Sequence, residues 1–375
     1  MVKFDSSRRK MLQLMGATGL SASAERISAL SAMDVRDIAS IPDVPRIAIE
    51  ISIGASASAA GVDESAMRRV KQLGVNDVLT GGPAIPWQEA DLRALMDRLK
   101  SGGLTLGNLM IDEFPKTLYG KPGRDEEIEE VIRSIRVAGK LGLPVIEYNF
   151  YAHRLVEGYF AETGRGGAGL TAFDYERVKE LPPLPEEGAH NLEEMWSNIT
   201  YFLKAVIPVA EQSGVRLALH PNDPPAPLSR GSHQIMGSVE GWKRLIDIVP
   251  SKCNGITFDC GVTREMGEDP VKVCRYFGSR DVINHVHYRN VLVQTPNEKY
   301  TEVFIDEGAI DMFAVMKELI RQKYSRLVYP EHPRAIDYDR ERLGFKPYYP
   351  GGGGYAALAF NVGFTRAMIQ AALAS

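Results

Sequence analysis

Four short segments hold the residues best suited to chemistry: Leu219-His220-Pro221-Asn222-Asp223, Phe258-Asp259-Cys260-Gly261, His285-Val286-His287-Tyr288-Arg289 and Tyr329-Pro330-Glu331-His332-Pro333-Arg334. Each closes an apolar, strand-like run, and each is followed by a helix-like stretch. Imidazole, thiolate and carboxylate groups at the carboxyl ends of successive strands are the donors a catalytic metal site in a (β/α)8 barrel uses. The chain holds only 7 histidines and 3 cysteines. Four of those histidines and one cysteine fall at these strand ends, so the grouping carries more weight than any single member.

The elements that must position them follow an alternating pattern. Strand-like runs at 46–53, 77–80, 106–111, 144–150, 216–220, 255–260, 282–288 and 326–330 alternate with amphipathic helical stretches. Eight β-then-α units indicate a parallel (β/α)8 TIM barrel rather than an open doubly wound sheet. The expected barrel occupies residues 40–375 as one domain. It carries a long insertion after strand four (151–190), too long for a plain βα loop and placed where a lid would sit. A second long connection, 335–354, ends in four glycines and leads to Tyr355.

Side chains alternate across a strand. Alternation pairs Ala218 with His220, Phe258 with Cys260, and His285 with His287 and Arg289 as inward-facing sets. His220, Cys260 and His287 can then converge, with Glu331 or His332 as a fourth ligand. Taken alone, a lone strand histidine is more often a hydrogen-bonded core residue, a buried cysteine a small apolar filler, and Arg289 a rim ion pair. Cys253 and Cys274 fit the filler role, and His153, His190 and His233 are expected in solvated loops. The mixed nitrogen and sulfur set by itself leans towards Zn2+, with Co2+ and Fe2+ also suited.

Composition narrows the alternatives. The chain has 375 residues, 44% hydrophobic and 25% charged, with a formal net charge of -4. That charge provides no basic field for nucleic acid. Three cysteines argue against a disulfide framework. No membrane span is expected. At the N-terminus, Ser7-Arg8-Arg9-Lys10-Met11-Leu12, a weakly apolar stretch to Leu20 and Ser-Ala-Ser-Ala24 resemble a twin-arginine export signal over residues 1–24, which implies a periplasmic location.

At its chemical residues the chain resembles the mannonate dehydratase family of the xylose-isomerase-like barrels. The resemblance rests on His220-Pro-Asn-Asp-Pro-Pro, Cys260 after an apolar strand, His287-Tyr-Arg289, Asp311-Met-Phe-Ala-Val-Met-Lys, Glu331-His332 and Gly354-Tyr355-Ala-Ala. It implies a hydro-lyase that takes D-mannonate or a related aldonate to 2-keto-3-deoxy-D-gluconate with a divalent metal, usually Mn2+, sometimes Fe2+ or Co2+. It implies metal ligation by His220, Cys260, His287 and Glu331, the last standing where the family has Asp. It implies catalytic roles for His332 and Tyr355, and a homodimer. Arg289 is then the candidate for the substrate carboxylate, with Asn222 and Arg334 as further substrate contacts. Pro333-Arg334 departs from the family's continuation, which bears on which sugar acid is bound. A sugar isomerase or epimerase of the same barrel class is the alternative. It would draw on carboxylates such as Glu147 and Asp259 and leave Cys260 and Tyr355 without roles. A sugar-acid-binding protein without activity is a third reading.

Overall fold

A computed structural model describes residues 41–54, 57–111 and 113–375. The export-signal expectation at 1–24 lies outside them. Eight parallel strands close a barrel: β1 (Arg46–Glu50), β2 (Asp77–Gly81), β3 (Thr105–Ile111), β4 (Val145–Tyr148), β5 (Arg216–Leu219), β6 (Asn254–Asp259), β7 (Ile283–His287) and β8 (Leu327–Tyr329). Neighbours follow chain order around the ring, and β8 pairs with β1. The (β/α)8 expectation holds, with every strand within the predicted stretches or a residue or two beyond them.

The connecting helices begin where the sequence supplies caps. Asp63 accepts from Ser65 N ahead of α1 (Glu64–Gln72). After α2 (Glu89–Ser101), Gly142 and Gly214, both left-handed, end α3 (Arg124–Leu141) and α4 (Leu192–Ser213). Ser238, Asp269 and Asp311 cap α5 (Val239–Ile248), α6 (Pro270–Gly278) and α7 (Met312–Arg321). The closing helix α8 (Tyr355–Leu373) is long and apolar enough to cross a membrane by composition alone. That departs from the expectation of no such stretch. In the structure α8 packs on the barrel through Val362, Ile369 and Ala372, and its Arg366 donates to Leu73 O.

The main apolar core lies between the strands' outer faces and the helices, while a small cluster of Ala48, Leu79 and Leu327 fills the barrel's interior. One irregularity decides which residues reach the mouth. The β6–β7 ladder shifts register between Ile256 and Thr257, which sets Asp259 abreast of His287. A one-residue difference in register exchanges the two faces of a strand.

The 151–190 insertion is built rather than loose. It contributes Tyr159–Thr163 and Gly169–Asp174 to a four-stranded antiparallel sheet completed by Lys299–Val303 and Asn290–Thr295 from the connection after β7. Leu155, Phe173, Val178, Ala226 and Tyr300 form its own apolar core. The 335–354 connection joins this cover through a bridge of Gly169 with Ala335, and a bridge of Arg334 with Gly352 closes the connection on itself.

Candidate metal centre

The ends of β5, β6 and β8 bring three donor side chains around His287 at the end of β7. His220 follows β5, and its Nδ1 lies 2.7 Å from the carbonyl of Pro221. A carbonyl only accepts, so Nδ1 carries the proton and Nε2 presents its lone pair. That Nε2 faces His287 Nδ1 at 3.2 Å. Glu331 Oε2 is 3.1 Å from the same His287 nitrogen, and Asp259 Oδ2 is 3.8 Å from it. Ligand atoms of His220, Asp259 and His287 all lie within 4.8 Å of one another.

These donors fit a divalent cation. Two nitrogen ligands about 2.1 Å from one ion sit roughly 3.0–3.4 Å apart at octahedral or tetrahedral angles, which matches the observed imidazole pair. Arg289 offsets part of the charge of the two carboxylates, at 3.0 Å from Glu331 and 3.2 Å from Asp259. A proton on His287 offsets more: burial opposes it, but Glu331 and Glu147 raise His287 to about 9. Burial and the neighbouring His287 lower His220 to about 3, so it is the neutral donor of the pair. Burial raises Asp259 to about 7.

A second layer holds this set. His287 Nε2 lies 3.4 Å from Glu147 Oε1 and has no hydrogen-bond partner among the described residues. Glu147 is itself fixed by Asn108 Nδ2 (2.8 Å) and Thr257 Oγ1 (2.7 Å). A carboxylate behind a ligating imidazole fixes its orientation and raises its basicity. His285, fully buried one pleat deeper, also has both ring nitrogens without a hydrogen bond, and burial lowers it to about 4.

His332 stands beside the cluster in a left-handed backbone conformation, φ 48°, uncommon for a side chain of this size. Its Nδ1 is 2.7 Å from Glu302 Oε2, and its Nε2 is 3.5 Å from Glu331 Oε2. Burial opposes its charge, but Glu302 and Glu331 raise it above the usual range. Tyr349 lies against it, with ring centroids 4.8 Å apart.

Arg289 is brought to the centre, though as an internal counter-charge. It is 2% exposed. It meets Glu265 (2.6 Å), Glu331 (3.0 Å), Asp259 (3.2 Å) and Asp223 (3.5 Å). Gly261 makes room for it: a Cβ there would fall 2.5 Å from Arg289 Nη1. Arg334, equally buried, is committed to Glu302 (3.0 Å) and the His332 carbonyl (2.8 Å). Asn222 accepts from Met236 N (2.7 Å) through Oδ1, while its buried Nδ2 has no hydrogen-bond partner among the described residues.

Two of the sequence-expected residues are elsewhere. Cys260 is fully buried in the apolar layer outside the barrel, where burial drives its thiol well above the usual range and Cys274 is a neighbour. The phase of β6 decides this: Thr257 and Asp259 stand abreast of His285 and His287 on the inward face, and Phe258 and Cys260 lie on the outward one. Tyr355 sits at the start of α8, where its hydroxyl donates to Arg69 O at 2.9 Å. His190, expected to be solvated, is buried, bonded to Glu194 (3.0 Å) and stacked on Tyr119. Glu302 and Tyr349 escaped the sequence reading altogether. They lie on the cover and the long last connection, and no strand-end pattern marks them. Asp259 and Glu147 entered only with the isomerase alternative.

A closed eight-stranded parallel barrel with a buried His/carboxylate cluster at its C-terminal mouth defines a (β/α)8 barrel with a candidate metal site. A solved L-ribulose 3-epimerase shares the fold at a TM-score of 0.56 and 14% identity, over 88% of this chain and 96% of that one. Closer likenesses narrow the class. The D-mannonate dehydratase family model matches residues 186–372. A mannonate dehydratase of Streptococcus pneumoniae is 29% identical over 313 residues, 75% of this chain and 85% of that protein. The crystal structure of mannonate dehydratase from Streptococcus suis superposes with a TM-score of 0.76 at 26% identity, covering 88% and 93% of the two chains. The chain belongs to the mannonate dehydratase family.

Proposed function

We propose that this protein is a divalent-metal-dependent hydro-lyase that converts D-mannonate, or a closely related aldonate, to 2-keto-3-deoxy-D-gluconate. The observation that carries the reading is His332, an acid/base group whose Nε2 stands 3.5 Å from Glu331 at the edge of the four-donor cluster. Family membership supplies the substrate class.

The reaction removes a proton from C2 and hydroxide, as water, from C3. The enol that results takes up a proton at C3 to become the 2-keto-3-deoxy acid. When bound, a divalent metal supplies positive charge against the substrate carboxylate and the enediolate-like charge that develops beside it. His220, Asp259, His287 and Glu331 would hold it. Two imidazoles and two carboxylates, without thiolate, shift the preference from Zn2+ towards Mn2+, with Fe2+ and Co2+ also suited. Glu302 fixes His332 through Nδ1 and leaves Nε2 to exchange a proton with the substrate. Tyr349 takes the place assigned from sequence to Tyr355 as the second proton-handling group. Arg289 holds the carboxylates of the site in place instead of gripping the substrate. The N-terminal Ser7-Arg8-Arg9 segment supports export to the periplasm, which fractionation and N-terminal sequencing of the mature protein would check.

One observation favours a second reading. Asp259 and Glu147 give the centre the carboxylate content expected of sugar isomerases and epimerases, and Cys260 and Tyr355 are indeed absent from it. Turnover assays on aldonates and on ketoses with Mn2+ restored separate the two. Release of 2-keto-3-deoxy acid supports the hydro-lyase, and ketose interconversion without it supports the alternative.

A further inference from the structure

Three guanidinium groups lie around the site, and they differ in how much of their binding capacity is free. Arg289 and Arg334 are 2% and 1% exposed and paired with buried carboxylates, although Arg289 Nη2 makes no hydrogen bond among the described residues and lies 3.5 Å from the Asp223 carboxylate. Neither can turn towards an incoming anion without leaving those carboxylates uncompensated. Arg154, in the segment after β4, is different. Its base is anchored: Ser229 Oγ donates to the neighbouring His153 carbonyl at 2.7 Å, and Arg154 Nε donates to the Asp223 carbonyl at 3.1 Å. Its outer end is open. A single terminal nitrogen lies 3.4 Å from the Asp223 carboxylate, and the side chain is 41% exposed. Asp223 is already served by the Tyr159 hydroxyl at 2.6 Å. A guanidinium has five N–H donors, so Arg154 keeps several unused.

Its position faces the chemistry. Arg154 interacts electrostatically with Glu331 and His220, two members of the cluster. Glu147, Asp259, Glu265, Glu302 and Glu331 crowd the same centre. Arg289 and Arg334 are already paired with these carboxylates, so a solvent-reachable guanidinium with donors to spare is the cation suited to an incoming anion. The planar fork of a guanidinium matches a carboxylate in shape as well as charge.

We infer that Arg154 binds the carboxylate of the sugar-acid substrate and sets the preference for aldonates over neutral sugars, an inference that rests on the dehydratase reading above. The test is calorimetric titration of D-mannonate into Mn2+-loaded wild type, Arg154→Gln and Arg154→Lys, with Mn2+ affinity and turnover measured separately. Losing a charge-assisted hydrogen bond should weaken D-mannonate binding in Arg154→Gln by at least about tenfold. Arg154→Lys should fall between it and wild type, and Mn2+ affinity should be unchanged in both, which also shows that the variants fold. Unaltered D-mannonate affinity in both variants overturns the assignment, as does a loss of Mn2+ affinity that accounts for the whole effect. D-mannonate that binds wild type without being turned over removes the dehydratase reading and leaves Arg154 to be judged by the same titrations. D-mannonate that does not bind wild type overturns both.

Discussion

Asp259 and Cys260 are adjacent, and only one of them can belong to the metal centre. Asp259, not Cys260, stands with His220 and His287 in the group that could hold a metal ion, so the two substitutions Asp259→Asn and Cys260→Ala should separate cleanly. Cys260→Ala removes one buried sulfur from the apolar layer. Deleting a group of about that size costs roughly 1–2 kcal/mol once the residual cavity is included. In a chain of this length that is a fall in Tm of about 2–4 °C or less. The metal donors are untouched. Asp259→Asn keeps the side-chain oxygen that accepts from Val262 N at 2.8 Å, so the short helix that follows (Cys260–Glu265) stays capped. It removes the charge that faces the cluster. Burial already disfavours that charge in the metal-free protein, so the metal-free fold should lose little stability. Metal affinity should fall by more than the roughly 10–100-fold that follows loss of an outer partner. The assay is thermal unfolding with and without Mn2+, paired with metal content after dialysis. Mn2+ at about 100 times its Kd stabilises the native state by roughly 2.7 kcal/mol. That stabilisation should appear in wild type and Cys260→Ala and be absent from Asp259→Asn at the same Mn2+ concentration. A Cys260→Ala protein that loses the Mn2+ response while Asp259→Asn keeps it would refute the register argument.

Other substitutions test the outer parts of the site. Glu147→Gln, which weakens the carboxylate behind His287, should reduce Mn2+ affinity by about 10–100-fold while turnover at saturating metal is largely retained, as a chelator-competition titration would show. His332→Asn should cut kcat by roughly 100-fold or more, the worth of a positioned acid/base group, with metal content unchanged. Tyr349→Phe should lower kcat, whereas Tyr355→Phe should leave it intact and cost about 0.5–1.5 kcal/mol of stability for the bond to Arg69; steady-state kinetics on both compares the two tyrosines directly. In chelated protein, His287 is raised from 6.5 to about 9. The native state therefore holds a proton that the unfolded state releases, and this contribution to stability is full below about pH 6.5 and lost as pH rises through about 9. Metal-loaded protein should not show that decline, because a ligating imidazole has already given up the proton; Tm against pH with and without Mn2+ measures it.

The barrel was legible because each strand is a short apolar run and most of the helices between them have an amphipathic face, several of them with a capping residue. Asp63, Ser238, Asp269 and Asp311 all stand where a first helical turn needs an acceptor. His220, His287, Glu331 and His332 were legible for a related reason: polar side chains at the end of an apolar strand can only be accommodated at the barrel mouth. Cys260 was misplaced because the alternation was counted from Phe258. In β6 the polar residues Thr257 and Asp259 alternate with the apolar Ile256 and Phe258, and that pattern by itself marks Asp259 as inward. Chemical preference for a thiolate ligand overrode it. Tyr349 and Glu302 were not legible, because they reach His332 from the 335–354 connection and from the cover sheet. No local periodicity in sequence fixes such long-range placements. Arg289 was legible at its strand end, but its partners were not: Asp223, Asp259, Glu265 and Glu331 come to it from other elements.

The most direct test of the account is the product formed from D-mannonate by purified protein, first stripped of metal and then restored with Mn2+. The account predicts 2-keto-3-deoxy-D-gluconate, seen by NMR, only when metal is present, and its loss in both His287→Ala and His332→Asn, with metal retained in the second. Mn2+-loaded, folded protein that forms no 2-keto-3-deoxy acid from D-mannonate or any other aldonate would contradict it.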